Sequence, residues 1–299
     1  MKGEQTHQPI VVAVIPVHDR CVLTEACLVS LTQQTRQLDY VVVVDDGSTD
    51  GTSEMIRMQF PWVHLLSGDG HLWWAGAINL GIRRALELGA DYILTLNDDT
   101  TFDRNMVAAF IAVADVEPNT VQGAAAVDET TGALKYGAMQ MDWWAGTYRM
   151  LPPPDSGRFH LQDTDVLCGR GLWIPRSVLE GIGLFRAAKL PQALADYEFA
   201  QRAAARKYRI VINHDARVRL RPESISSGSR RARSMAGFKD HITSMTGAGN
   251  LRFFIRYAFI VAPVGCRTWY AFLGSMRRIV GYWLHKPKRD FMNEAKCDR

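Results

Sequence analysis

Cysteine is scarce in this 299-residue chain: Cys21, Cys27, Cys168, Cys266 and Cys297 are odd in number and show no C-x-x-C spacing. That scatter excludes a disulfide framework and a zinc ribbon, and it fits a reducing cytosol in which the thiols act as small apolar residues. Long apolar runs are missing too. The first, Ile10–Val17, is short, contains Pro16 and lacks a basic lead-in and a small-residue cleavage pattern, so it reads as a strand and not a signal peptide. There is no internal repeat. Acidic residues run short at one end: residues 202–299 hold 21 Lys and Arg against 6 Asp and Glu, whereas residues 1–201 hold 14 against 25. Such a basic third could meet nucleic acid, an anionic membrane or an anionic substrate, but no nucleic-acid motif accompanies it.

What the chain does have is enough apolar residue, 47%, to bury a sizeable core. Its first hundred residues alternate strand-like runs at 10–16, 40–45, 62–66 and 92–96 with amphipathic stretches at 22–34, 51–58 and 75–88. Strands too apolar to be half-exposed, alternating with helices, predict a parallel sheet covered on both faces, whose ligands collect at the carboxyl ends of the strands. Two strands end there on paired acids. "YVVVVDDGSTDGT" stops at Asp45 and Asp46, and "YILTLNDDT" stops at Asn97, Asp98 and Asp99. Further on, a helix is expected near 103–114, a Trp- and Pro-rich loop or hairpin over 141–161, a helix in "DYEFAQRAAARK" and a last strand in "YRIVIN".

Paired carboxylates repel, so they need a cation or hydrogen-bond donors nearby. Oxygen ligands suit Mg²⁺ or Mn²⁺, which one or two carboxylates hold together with substrate phosphates. The first pair also suits a nucleoside, whose ribose hydroxyls and base N–H groups a carboxylate accepts from. The plainer reading is turn and cap chemistry: Asp50 beside its helix, and a helix beginning near Phe102 behind Thr100 and Thr101.

Six segments, "VAVIPVHDR", "VVVVDDGSTDGT", "WWAGAINLGIRRAL", "YILTLNDDT", "VLCGRGLWIPRSVLEGIGLF" and "ADYEFAQRAAARKYRI", resemble in order and spacing the family 2 glycosyltransferases, most closely the bacterial rhamnosyltransferase-like branch, over roughly residues 9–215. The resemblance implies an α/β GT-A fold, with a catalytic domain at 1–230 and a helical extension at 231–299. Residues of about 9–104 would bind the nucleotide-sugar and 105–230 the acceptor. It implies donor contacts from Pro16, His18, Asp45, Asp46, Gly76, Asn79 and Asp98, with Gly81 in the same helix start. Asp99 would be the Mg²⁺ or Mn²⁺ ligand, and Asp196, with Ala195 in place of the usual Glu, the catalytic base of an inverting transfer. The donor would be dTDP-rhamnose or a UDP-hexose, and the acceptor a glycan or polyprenyl-linked hydroxyl in bacterial cell-surface polysaccharide synthesis. Trp73, Trp74, Gly171, Trp173 and Arg221 are candidate sugar or acceptor contacts, each tryptophan equally compatible with core packing.

One departure stands out. Where many relatives carry a metal-binding histidine after the last strand, this chain has Leu220; His214 reads as a strand-end residue, and Arg219 or Arg221 could contact the diphosphate instead. In the tail, Trp269, Phe272, Leu273, Met276, Val280, Trp283 and Leu284 follow helical spacing, with Arg277 and Arg278 off the stripe. That pattern suits either an anionic membrane surface or packing on the domain or a second copy of the chain. The expected location is cytoplasmic, peripheral on the inner membrane. A nucleotidyltransferase is the rival enzyme, although "VIPVHDR" lacks its glycine-rich, basic phosphate turn. A phosphatase of the D-x-D-G type fails on spacing, and the remaining rival is a nucleic-acid binder.

Overall fold

The computed structural model describes residues 8–154, 160–221, 234–246 and 249–284. Its first half is built as the alternation requires: β1 (Val11–Val17), α1 (Cys21–Thr32), β2 (Tyr40–Asp45), α2 (Thr52–Gln59), β3 (His64–Ser67), α3 (Trp73–Glu87) and β4 (Tyr92–Thr95). There follow β5 (Thr100–Phe102), α4 (Met106–Ala114), β6 (Val121–Asp128), β7 (Leu134–Tyr136), β8 (Met139–Asp142), β9 (Thr147–Met150), β10 (Leu161–Asp163), β11 (Leu172–Pro175), α5 (Arg176–Ile182), α6 (Ala195–Ala205) and β12 (Ile210–Leu220). Three helices close the described chain: α7 (Met235–Thr243), α8 (Leu251–Val261) and α9 (Arg267–Leu284).

The main sheet runs in the order β10-β12-β6-β11-β4-β1-β2-β3, with β5 on β12 and β7 on β6. β1 pairs in parallel with β2 on one side and β4 on the other, so the chain reverses direction across the sheet at β1. That switch opens a crevice at the carboxyl ends of these strands. Beyond β4 the sheet is mixed, because β11 runs antiparallel to both β4 and β6. Alternate residues serve opposite faces: Val12 and Val14 pack under α3 with Ile78 and Ile82, while Val11, Ala13 and Ile15 join Leu28, Ile56 and Phe110. α3 lies tight on the sheet because Gly81 has no side chain; a Cβ there would come within 2.3 Å of Val14 Cγ1.

Two expectations need correcting. No helix begins near Phe102: Thr100–Phe102 pair with Val218–Leu220 as β5, and α4 starts at Met106. The last strand does not stop at Asn213 but continues past a bulge at Asn213/Arg217 to Leu220. The Trp-rich segment does form a hairpin, β8–β9. In the C-terminal region, Phe253, Phe254, Tyr257 and Tyr270 belong to the same buried cluster as Ile78 and Phe199. The basic loop expected over 221–234 lies almost wholly outside the described residues.

Candidate active site

The first acidic pair is engaged with the backbone around it. Asp45, buried at the end of β2, accepts from Ser48 N at 2.9 Å and from the Ser53 hydroxyl of α2. Asp46 accepts from Gly70 N at 2.9 Å and Trp73 N at 3.0 Å, which fixes the β3–α3 loop over the crevice. His18 Nδ1 donates to Asp46 O at 2.7 Å, tying the end of β1 to the same turn. Pro16 lies one residue inside β1, opposite Val44. Asp50 takes the cap role, accepting from Cys21 N and Thr52 N and thereby joining α1 to α2.

The second pair is bridged by an arginine. Arg20 Nη1, at the start of α1, lies 3.0 Å from Asp98 Oδ1 and 3.3 Å from Asp99 Oδ2. Asp98 is almost wholly buried, and its carboxyl is pushed up to about 6, chiefly by desolvation, with Arg20 opposing and Asp99 adding to the rise. Such a pair needs positive charge beside it. Hard oxygen donors suit Mg²⁺ or Mn²⁺, although no cluster of three His, Cys, Asp or Glu forms a closed cage among the described residues. Asn97, at the first position of the acidic motif, accepts from Trp74 Nε1 at 3.1 Å.

Asp196 opens α6 and reaches back to a turn. Its Oδ2 accepts from Gly169 N at 2.9 Å and its Oδ1 from Tyr197 N at 2.9 Å. That turn, Cys168–Gly171, is fastened to β4: Thr95 Oγ1 donates to Gly169 O at 2.7 Å and Gly171 N donates to Thr95 O at 2.9 Å. Asp196 is therefore joined through one turn to the strand that delivers Asp98 and Asp99. Desolvation raises its pKa; the two N–H donors and Arg170 work against the rise.

Arg170, on the same turn, was not singled out from the sequence. It is close enough to feel Asp99 and Asp196 electrostatically, and its own pKa is raised by Cys168 first and by these two acids after desolvation is set against them. Its Nε is buried with no hydrogen-bond partner among the described residues. A charged residue between two glycines, "GRG" after an apolar run, was the available signal. Arg20, in "HDR", was equally overlooked.

Several expected contacts fall to structural roles. Asn79 donates to Phe185 O at 2.8 Å and accepts from Phe185 N at 3.0 Å, so it anchors the loop that carries Phe185. Trp173 is fully buried and stacked between Tyr92 and Phe110, and presents no face to a sugar. Gly171 is buried with φ of 89°, and a Cβ there would come within 2.6 Å of Ala124; it shapes the turn. Gly76 sits in the first turn of α3, within a side chain's reach of Leu72. Trp74 is a wedge: its indole packs edge-on against Phe185 and fills the space a Gly169 side chain would need. Trp73, in a left-handed conformation with φ of 56°, remains partly exposed at the crevice.

Arg219 and Arg221 pair with acids, Arg219 Nε with Asp103 Oδ1 at 2.5 Å and Arg221 Nε with Glu129 Oε2 at 3.8 Å. Both line a separate open cleft of about 960 Å³ between α1 and the end of β12, which contains neither Asp99 nor Asp196. Leu220 is a buried strand residue opposite Thr100, and His214 is buried in β12 with Nε2 3.0 Å from Gln162 Oε1.

Comparison with known proteins agrees with this architecture. Glycosyl transferase family 2 matches residues 12–183, more than half of the chain. A galactofuranosyltransferase, GlfT1, of Mycolicibacterium smegmatis is 34% identical over 94 residues, a span that covers 31% of each chain. Among solved structures, GalNAc-T7 with UDP, GalNAc and Mn²⁺ superposes with a TM-score of 0.64 at 13% identity, covering 86% of this chain and 48% of that one. The mannosyltransferase PcManGT of Pyrobaculum calidifontis, in complex with GDP-Man and Mn²⁺, gives 0.55 at 16%, covering 92% and 88%. With the family match extending from β1 through α5 and the fold shared with these GT-A structures, the chain belongs to glycosyltransferase family 2.

Proposed function

We propose that this chain is an inverting glycosyltransferase that moves a sugar from a nucleoside-diphosphate donor, dTDP-rhamnose or a UDP-hexose, to a hydroxyl of a glycan or polyprenyl-linked acceptor. The observation that carries the reading is the turn that ties base to acidic motif: Gly169 N donates to Asp196, and Thr95, three residues before Asp98, donates to Gly169 O. Asp45, Asp46 and His18 border the nucleoside end of the crevice, each carboxylate retaining lone pairs beyond those already used. Asp99, with Asp98 beside it, would hold Mg²⁺ or Mn²⁺, which would neutralise the departing diphosphate. Arg20 and Arg170 add fixed positive charge at the same end. Asp196 takes the proton of the acceptor hydroxyl as its oxygen bonds to the anomeric carbon and the bond to the diphosphate breaks. One displacement inverts that carbon.

The structures of GalNAc-T7 with UDP, GalNAc and Mn²⁺ and of PcManGT with GDP-Man and Mn²⁺, which share the fold, support the donor class and the metal. The acceptor is read as lipid-linked, within polysaccharide synthesis, on a catalytic region of 1–230 that rests peripherally on an anionic membrane through 231–299; a homodimer is compatible with this arrangement. Thermal-shift measurements against a panel of nucleotide-sugars with Mn²⁺ or Mg²⁺ identify the donor, since a ligand at 100 times its Kd adds about 2.7 kcal/mol. Asp196→Asn should keep that shift while transfer falls by roughly 10²–10⁴. Full activity in this variant, or a product of retained anomeric configuration, would overturn the mechanism.

A further inference from the structure

The outer face of α9 is met only at its ends among the described residues, by the β8–β9 hairpin at Trp269 and by Phe238 of α7, 5.5 Å from the Trp283 ring. Its inward side is closely fitted: Tyr270 and Ala271 are buried, and Gly274 lies against Phe254, where a Cβ would come within 2.1 Å of the ring. Arg278 belongs to this side as well, its guanidinium 3.6 Å from the Phe254 ring centroid. The domain contact is thus satisfied by residues other than the apolar stripe. The stripe itself, Trp269, Phe272, Met276, Val280 and Trp283, is exposed along its whole length, with Phe272 at 55%. Its spacing keeps one line on the helix over roughly 21 Å.

A second element extends the stripe. The β8–β9 hairpin leans on α9, with Trp269 Nε1 donating to Trp144 O at 2.8 Å and Gly146 close against Leu273. Trp144, at the hairpin tip, is 67% exposed, and Trp269 and Phe272 are in ring contact at 6.0 Å. The same hairpin leads back to the candidate base: Tyr148 on β9 meets Tyr197 edge-on at 6.0 Å, and Tyr197 adjoins Asp196.

We propose that the hairpin tip and the outer stripe of α9 form one docking surface for an anionic phospholipid bilayer, seated so that Asp196 lies beside the membrane from which the acceptor is presented. Charge selects this occupant. Residues 249–284 contain five arginines and no aspartate or glutamate, and Arg252 and Arg277 are exposed. A second copy meeting this face about a two-fold axis would oppose arginine to arginine, whereas anionic headgroups complement them. Tryptophans at both ends of the stripe and at the hairpin tip suit the headgroup boundary, where a ring has an apolar body and a polar edge to satisfy. No helix among the described residues is long and apolar enough to cross a membrane, so the contact lies on the surface. The orientation of the base rests on the glycosyltransferase reading above; the docking surface itself does not.

The test is flotation of the full chain with phosphatidylcholine vesicles with and without phosphatidylglycerol, at low and high salt, in the absence of any acceptor. The chain should float with the anionic vesicles, be released by salt and stay behind with neutral ones. Phe272→Glu combined with Met276→Glu should weaken flotation by about tenfold or more, and Trp144→Ser by a smaller factor, without changing the melting temperature, because these side chains are exposed. Three results would overturn the surface: no flotation with anionic vesicles, flotation unchanged in the double variant, or a concentration-dependent dimer in sedimentation that the double variant dissolves. Donor-induced thermal shifts are recorded on the same samples. Flotation without any shift would uphold the surface and remove the enzymatic reading, and the reverse would do the opposite.

Discussion

At the scale of single residues, the site is governed by carboxylates held where ionisation is costly. Asp98 has a folded pKa of about 6 against an ordinary value of 3.8, so folding favours its protonated form. The stability it contributes is complete below about pH 4 and is lost as pH rises through about 6. Asp98→Asn removes that dependence. The variant should therefore gain on the wild type between about pH 4 and 7, by on the order of 3 kcal/mol, as read from urea midpoints across the range. A difference independent of pH would contradict the burial argument. Asp196 is also raised, by desolvation, while Arg170 pulls it down. Because the proposed base would work ionised, the acid limb of kcat should lie above the ordinary carboxylate range, and Arg170→Gln should move it to still higher pH. A profile left in place by that substitution would remove Arg170 from the electrostatics of the base.

Elements matter through the way they are tied. α6 carries in its first turn both Asp196 and the buried Glu198, which pairs with Arg202 at 2.9 Å and Arg186 at 3.3 Å. Arg202 in turn donates to the carbonyls of Ile182 and Leu184, so the loop after α5 is bound to α6. Glu198→Gln leaves a mostly buried guanidinium without its counter-charge. The expected cost is about 3 kcal/mol in chemical denaturation, with donor binding retained once the protein is folded. A loss below about 0.5 kcal/mol would mean that the carbonyls alone satisfy Arg202. Conflict between local signals and element boundaries occurred at "NDDTTFD": threonines after acids read as a helix cap, yet Thr100–Phe102 pair with the far end of β12. Strand pairing across 116 residues is invisible to a local pattern.

At the scale of the whole molecule, α8 and α9 belong to the domain. Phe254 is buried between α9 and the core, facing both Gly274 and Arg278. Phe254→Ala should cost about 3–5 kcal/mol and lower a single cooperative transition followed by tryptophan fluorescence and far-ultraviolet circular dichroism together. Separate transitions would instead mark residues 249–284 as an independent unit. The sheet also decides which carboxylates meet. β11 runs antiparallel beside β4, so the turn that leads into β11 arrives at the carboxyl end of β4, and Asp196 follows it there.

The sequence by itself determined the alternation of apolar strands and helices, the delivery of Asp45, Asp46, Asp98 and Asp99 to strand ends, and the helix that begins at Asp196, because each depends on neighbours a few residues apart. Only the tertiary structure decided that Asn79 anchors the Phe185 loop and Trp173 serves packing, that Arg20 bridges the acidic pair, that Arg170 lies within electrostatic reach of Asp99 and Asp196, and that the tail turns Tyr270, Ala271 and Gly274 inward and an aromatic stripe out. Those outcomes depend on which distant side chain fills or leaves open the space opposite, and for Asn79 and Phe185 that partner is 106 residues away.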